Sequence, residues 1–426
     1  MRVMVIGGGA REHALAERLA AEPGVTEVVC APGNPGISSV ARTVPADLTR
    51  PESLSALAAR EQIDFTVVGP EAPLSLGIAD RFAADNRPLF GPTAAAARLE
   101  SSKAFAKSFM DRHGVPTARF RVFDSVEAAL ACVRSSEFGF PVVLKADGLA
   151  GGKGVVIAND EAQAVAAVRA AMSEGRFGDA GSRLVVEECL TGPEVSFFVI
   201  SDGTRTLPIG TAQDHKRIFD DDQGPNTGGM GAFAPSPLVD RALHERVMRE
   251  IVEPVVSGMA TEGHPFRGFL YVGLMLTLAG PKVIEFNVRL GDPEAQVILP
   301  LLAEPLLPVL MAAARGQLQQ ASIRLSEEKC IGVVMASRGY PDRSDAGRPI
   351  SGISDAERSG ASVYHAGTAI SDGQLVTAGG RVLTVVGRGP TFADAIDRAY
   401  VGVAKVSFDG MQYRHDIGRK VLVDRP

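Results

Sequence analysis

The chain has 426 residues, 45% of them hydrophobic and 22% charged, and a formal net charge of −6 from 44 basic and 50 acidic side chains. One hydrophobic core does not grow to that length, so about two to four domains are expected. The charges are interspersed and no apolar run approaches membrane length, which argues against nucleic acid and membrane as partners. The four cysteines (Cys30, Cys132, Cys189, Cys330) are far apart and lack zinc-type spacing. Reduced core thiols in a cytoplasmic protein are therefore expected, and the first apolar run is too short for a signal peptide.

Over residues 1–100 strands alternate with helices. Apolar strands are expected at 3–6, 27–30, 65–68 and 89–90, and helices at 11–21, 51–60 and 77–85. This pattern indicates a doubly wound parallel sheet, which binds ligands beyond the carboxyl ends of its strands. Three loops leave those ends, at 7–12, 31–36 and 69–71. A helix carrying Lys103 and Lys107 follows, then a hairpin of strands 140–146 and 155–158, a helix at 161–173 and strands at 183–188 and 194–201. Residues 213–237, dense in Gly, Asp, Pro and Asn, show no period, and a functional loop is expected there. Residues 238–258 read as helix, and 268–278 pairs with 282–287 as a hairpin. From about Cys330 a smaller α+β unit is expected, with strands at 331–337, 363–365 and 381–386 and a helix at 392–406. The expected domains are 1–100, 101–325 (with a lid at about 122–192) and 326–426.

Four motifs carry chemistry. The turn Gly7-Gly8-Gly9-Ala10-Arg11-Glu12 lacks the third glycine of a dinucleotide fingerprint, since Glu12 stands there. A glycine turn at a helix N-terminus can still hold one phosphate, so a sugar phosphate fits better than NAD. Around Lys145 and Lys153, glycines at 148, 151, 152 and 154 let backbone N–H groups approach phosphates, although the Walker spacing is absent. The acidic segment around Glu187 and Glu188, with Glu194 after a turn, can accept hydrogen bonds from adenosine. Finally, strand alternation sends Ile284, Phe286 and Val288 toward a core, and Glu285, Asn287 and Arg289 to the other face. A carboxylate and an amide oxygen one pleat apart can share Mg²⁺, and an arginine beside them can fork onto phosphate or carboxylate.

In this order the pieces resemble the ATP-grasp superfamily and, within it, the phosphoribosylamine–glycine ligases. The resemblance runs essentially end to end, through G-G-A-R-E-H-A-L, A-P-G-N-P-G, V-V-G-P-E-A-P-L, L-K-A-D-G-L-A-G-G-K-G-V, Q-D-H-K-R, G-P-N-T-G-G-M-G-A and V-I-E-F-N-V-R-L-G-D-P-E. Departures are small: Ala295 and Gly151 replace a threonine and an alanine often found there. The resemblance implies a pre-ATP-grasp N-terminal domain, a two-part ATP-grasp core and a small C-terminal domain. It also implies that ATP, with Mg²⁺ or Mn²⁺, drives ligation of glycine to 5-phosphoribosylamine through glycyl phosphate. By the same implication Lys103, Lys145, Lys153, Glu187, Glu188, Leu190, Glu194 and Asn287 hold ATP, and Glu285 and Asn287 hold the metal. Lys153, Arg289 and Asp214 serve catalysis. Asp214, Asn226, Gly228, Gly229 and Met230 lie at the glycine. Gly9, Arg11, Glu12, Asn34, Gly36, Glu71 and Asp292 surround phosphoribosylamine, with Glu12 free to bond the sugar or amine, and Arg289 contacts phosphoryl group or glycine. No acid lies in 268–278, the strand expected beside Glu285, so the metal shell is expected to lean on water and phosphate. The small-molecule substrates are the expected partners, and a monomer is expected. The alternative is another ATP-grasp carboxylate–amine ligase; loss of Glu285, Asn287 or the lysines would have marked a non-catalytic module.

Overall fold

The computed structural model describes residues 1–149, 154–174, 181–320 and 322–422. The first unit runs β1 (Arg2–Gly7), α1 (Ala10–Ala20), β2 (Glu27–Pro32), β3 (Arg42–Thr43), α2 (Pro51–Arg60), β4 (Phe65–Val68), α3 (Glu71–Ser75), α4 (Ile78–Ala84) and β5 (Leu89–Phe90). Its strands form a parallel sheet in the order β3-β2-β1-β4-β5. The chain crosses back between β3 and β4, which opens a crevice at the carboxyl ends of β1, β2 and β4. Val3, Met4, Val5 and Ile6 are all fully buried, as befits a strand covered on both faces. The helix expected at 77–85 begins earlier: α3 starts at Glu71, directly after Pro70, and left-handed Gly77 (φ 84°) separates it from α4.

Next come α5 (Ala94–Ser101), α6 (Lys103–Arg112), β6 (Phe120–Phe123), α7 (Val126–Arg134), β7 (Val142–Ala146), β8 (Val155–Ala158), α8 (Glu161–Met172) and β9 (Leu184–Glu188). The sheet β6-β9-β7-β8 has its own core against α7 and α8, around Cys132, Leu144, Val168 and Val186. Ser102 caps α6, its hydroxyl accepting from the Phe105 N–H, and so fixes where Lys103 starts the helix.

The remaining elements are β10 (Glu194–Asp202), β11 (Thr206–Asp214), β12 (Arg217–Phe219), β13 (Gln223–Asn226), β14 (Gly231–Ala234), α9 (Arg241–Val247), α10 (Glu253–Thr261), β15 (Arg267–Thr277), β16 (Gly280–Asn287), α11 (Ala295–Ile298) and α12 (Leu307–Ala314). They continue through β17 (Lys329–Ala336), α13 (Ile353–Arg358), β18 (Ser362–His365), β19 (Thr368–Ser371), β20 (Gln374–Thr377), β21 (Arg381–Gly389) and α14 (Phe392–Val403). One sheet runs β16-β15-β10-β11-β14-β17-β21-β18, so the C-terminal strands extend the sheet that carries Glu285.

Three expectations change here. Residues 213–237 are not irregular: β11 reaches Asp214, β12 and β13 form a ribbon, and β14 is buried throughout. The pairing of β14 with β17, about a hundred residues later in the chain, is invisible to any local period. The helix expected at 238–258 is two helices joined by a π-helical turn at Met248–Val252. The alternation along β16 breaks at Ile284: Glu285 faces Gly273 while Val283 faces Leu274, so Ile284 is a bulge residue. In β16 the buried residues are Pro281, Val283 and Phe286, Val288 just beyond it is buried as expected, and Ile284 is only half-buried.

Candidate active site

At the end of β1 the chain turns at Gly7 (φ 125°) and enters α1 with Gly9 as its cap. Glu12 folds back under this turn. Its carboxylate accepts from the Gly9 N–H (2.6 Å) and pairs with Arg11 (2.5 Å), and only 2% of the residue is exposed. A Cβ at Gly7 or Gly69 would strike the Glu12 side chain at 2.5 and 2.1 Å, so both glycines make room for it. Glu12, expected from sequence to be free for a sugar hydroxyl or amine, is instead engaged by the Gly9 N–H and Arg11, where it braces the turn. Asn34 is similarly committed. Its amide donates to the carbonyls of Gly8 (2.9 Å) and His365 (2.7 Å), and its oxygen accepts from the Ile37 N–H. Gly36 lies against the His365 ring, where a Cβ would come within 2.3 Å. The His365 N–H in turn donates to Nδ1 of His13 (2.9 Å), an imidazole held neutral because burial, and then His365, push its pKa down to about 3.

The loop after β16 closes over this crevice. Arg11 and Arg289 both donate to the Leu290 carbonyl, at 3.1 and 3.2 Å. Arg289 also pairs with Glu71 (3.2 Å) and Glu100 (2.7 Å). Burial works against the charge on Glu71, but Arg289 and then Arg11 keep its carboxyl below the usual range. Asp292 accepts from Gln296 (2.8 Å) and pairs with Arg381 (3.2 Å). Burial opposes its charge, and Arg381 and Arg11 hold its pKa low. Gly9, Arg11, Glu71, Asp292 and Arg289 are therefore brought together, joining the turn after β1 to the strand of Glu285.

On the other side, Glu285 faces Gly273 and Asn287 faces Tyr271 across the β15–β16 ladder. Both are half-buried, and among the described residues neither side chain makes a hydrogen bond, so their oxygens are available. With glycine opposite Glu285, the donor set is one carboxylate and one amide oxygen, which suits a hard cation that keeps water and phosphate in its shell. Lys103 reaches the Gly148 carbonyl (2.8 Å); burial lowers its pKa while Glu285 pulls it up. Lys145 donates to the carbonyl of the bulge residue Ile284 (3.0 Å) and pairs with Glu187 (2.6 Å). Glu187, expected at adenosine, is 4% exposed and also pairs with Lys107 on α6. Burial opposes its charge and Lys145 and Lys107 restore it, so it acts here as a counter-ion between two ammoniums. Glu188 is held down at about 2 against its desolvation by Arg119 (2.8 Å) and Lys282 (3.1 Å). Leu190 is half-buried next to it. Lys153 and the tip of its hairpin lie outside the described residues.

Asp214 ends β11 beside Lys216, which is 3.4 Å from it and 2.5 Å from Glu194. Burial raises the Asp214 pKa despite Lys216. Glu294, fully enclosed with Ser196 3.2 Å away, is pushed up to about 7 by burial and then by Asp214. Gly228 and Gly229 reach this region, but Asn226 is exposed on β13 and Met230 is buried against Ile218 and Ala336. The Met230 side chain is thus a core group, and only its backbone borders the loop. Sequence reasoning missed Glu100, Lys107, Lys216, Glu294 and Arg381. Lys107 sits one turn from Lys103, and Lys216 and Glu294 fall inside motifs already singled out; Arg381 carried no local signal.

These features define an ATP-grasp ligase: an α/β crevice, a separate lysine-bearing four-stranded sheet and a strand presenting Glu285 and Asn287. The chain matches the phosphoribosylglycinamide synthetase family in its N domain over residues 1–100, its ATP-grasp (A) domain over 101–295 and its C domain over 330–420. It belongs to that family. A phosphoribosylamine–glycine ligase of Xylella fastidiosa is 50% identical over 427 aligned positions, covering 99% of each chain. The crystal structure of the phosphoribosylamine–glycine ligase of Thermotoga maritima superposes with a TM-score of 0.85 at 33% identity, covering 98% of this chain and 100% of the other. A biotin carboxylase domain from Hydrogenobacter thermophilus shares the fold alone, at 20% identity and a TM-score of 0.73 over 97% of this chain and 91% of the other. Among the described residues no helix is long and apolar enough to cross a membrane.

Proposed function

We propose that the chain ligates glycine to 5-phospho-β-D-ribosylamine, forming glycinamide ribonucleotide, ADP and phosphate in purine biosynthesis. The observation that carries this is the convergence of Arg11 and Arg289 on Leu290, which sets a single-phosphate turn against the end of the Glu285–Asn287 strand. A carboxylate is a poor acyl donor, so a glycine oxygen first attacks the γ-phosphorus of ATP and ADP leaves. The ribosylamine nitrogen then attacks the acyl carbon of glycyl phosphate and phosphate departs with that oxygen. Catalysis consists mainly of positioning and charge neutralisation. Lys103, Lys145 and Lys153 supply the positive charge that neutralises the phosphates. Glu188, Leu190 and Glu194 border adenosine. Glu285 and Asn287 hold Mg²⁺ or Mn²⁺, which neutralises phosphate charge when bound. Asp214, Gly228 and Gly229 border glycine, with Arg289 beside the transferred group. The turn at Gly9 and Arg11, with Gly36, Glu71 and Asp292, receives the ribosyl phosphate. The enzyme works in the cytoplasm as a monomer. ADP release that needs both glycine and freshly prepared phosphoribosylamine is the expected result; release with glycine alone at the full rate, or with neither, would overturn the reading.

A further inference from the structure

The loop at 226–230 and the loop at 291–294 come from distant parts of the chain, yet one side chain of the C-terminal unit ties them together. Arg381, the first residue of β21, donates through Nη1 to the carbonyls of Gly228 (2.5 Å) and Asp292 (2.7 Å), with Gly229 farther off at 3.5 Å. Its Nη2 pairs with the Asp292 carboxylate at 3.2 Å. From the same unit, the Tyr340 hydroxyl accepts from the Gly228 N–H at 2.9 Å. The two loops also touch directly: Gly229 (φ 109°) lies on Pro293, where a Cβ would come within 2.5 Å of the proline ring. A guanidinium is the group suited to this task, because it is planar, permanently charged and donates in several directions at once.

We propose that Arg381, assisted by Tyr340, is a positioning residue that couples the glycine loop to the phosphoribosylamine loop, so that each substrate binds more tightly when the other is present. The inference rests on the reading of those two loops given above. A loop displaced by its substrate moves carbonyls held by the same guanidinium that holds the other loop, and coupling of this kind is reciprocal. The partners of Arg381 are the carbonyls of Gly228, Gly229 and Asp292 and the Asp292 carboxylate, so its action is through the two loops. Among its described hydrogen bonds none goes to Glu285, Asn287 or the lysines of the ATP side, so ATP lies outside the coupling.

The test is steady-state ADP release by the full chain, with phosphoribosylamine generated from ribose 5-phosphate and ammonia. In the wild type, the KM for glycine falls as phosphoribosylamine is raised. Arg381→Ala abolishes that dependence and raises both KM values on the order of tenfold, as loss of a charge-assisted hydrogen bond warrants. The KM for ATP stays at the wild-type value, which a general loss of structure would not allow. Arg381→Lys recovers part of the effect, since an ammonium can serve one loop but does not fork across both. Tyr340→Phe, which keeps the ring and all charges, raises the KM for glycine more than that for phosphoribosylamine; it also carries the test if Arg381→Ala does not fold. Wild-type enzyme whose glycine KM ignores phosphoribosylamine, or Arg381→Ala with the dependence intact, would overturn the coupling. A wild type that releases no ADP with both substrates would instead remove the functional reading, and the coupling with it.

Discussion

Glu294 lies enclosed between Ser196 and the loop backbone, with Asp214, Lys216 and Arg289 close enough for their charges to act on it. Its carboxyl rises from 4.5 to about 7 because burial penalises the anion and Asp214 adds repulsion. The folded chain therefore keeps a proton that the unfolded chain releases above about pH 4.5, and this group's contribution to stability falls as pH climbs from there through about 7. Thermal unfolding of Glu294→Gln should show a midpoint that gains on the wild type across that window; a constant difference would contradict it. Glu285 is a simpler case, as the one carboxylate that its face of β16 offers a metal. Glu285→Gln is expected to lower turnover by roughly a hundredfold or more at ordinary Mg²⁺. Its unfolding midpoint should stay unchanged, and full activity would remove the strand from the site. At this scale the sequence displayed the donors but not their neighbours. Glu12 looked free because nothing local reveals that Gly7 and Gly69 leave room for its side chain.

The Lys107–Glu187–Lys145 triad ties α6, β9 and β7 together in a nearly dry setting. Removing its anion leaves two ammoniums facing each other. Glu187→Gln is expected to cost about 3–5 kcal/mol, the usual penalty for breaking a buried ion pair from one side. Because phosphates would replace the lost anion at Lys145, ATP should raise the variant's unfolding midpoint more than the wild type's. Equal shifts in differential scanning calorimetry would place Lys145 away from the phosphates. Elements were legible wherever local pattern decides them. The N-terminal strands and α14 follow their expected spans closely, since an apolar run or amphipathic stripe is a short-range signal. The strand β14 was hidden because distant partners stabilise it, and the Ile284 bulge because a bulge leaves alternation looking intact on paper while shifting it by one residue.

Across the whole molecule, the C-terminal unit proves to be part of the site's framework. Its strands continue the Glu285 sheet, its His365 backbone holds Asn34, and its Arg381 joins two loops. None of this was visible in the sequence, because the contacts join residues distant in the chain, 331 apart for Asn34 and His365 and 89 apart for Arg381 and Asp292, and involve backbone atoms that any sequence supplies. The proposed division of labour comes from the sequence, which offers a glycine turn at a helix N-terminus and, separately, a set of lysines and acids. Arg11→Ala should therefore raise the KM for phosphoribosylamine and leave that for ATP nearly unchanged; the opposite pattern in steady-state kinetics would refute the division.

In the proposed activation as glycyl phosphate, an oxygen of glycine becomes an oxygen of the released phosphate. Glycine labelled with oxygen-18 in its carboxylate, turned over with ATP and phosphoribosylamine, should deliver a single labelled oxygen to each inorganic phosphate and leave the other in the amide. Mass spectrometry of the phosphate reads this directly. Unlabelled phosphate, with ADP and product still formed, would contradict activation of glycine by phosphoryl transfer.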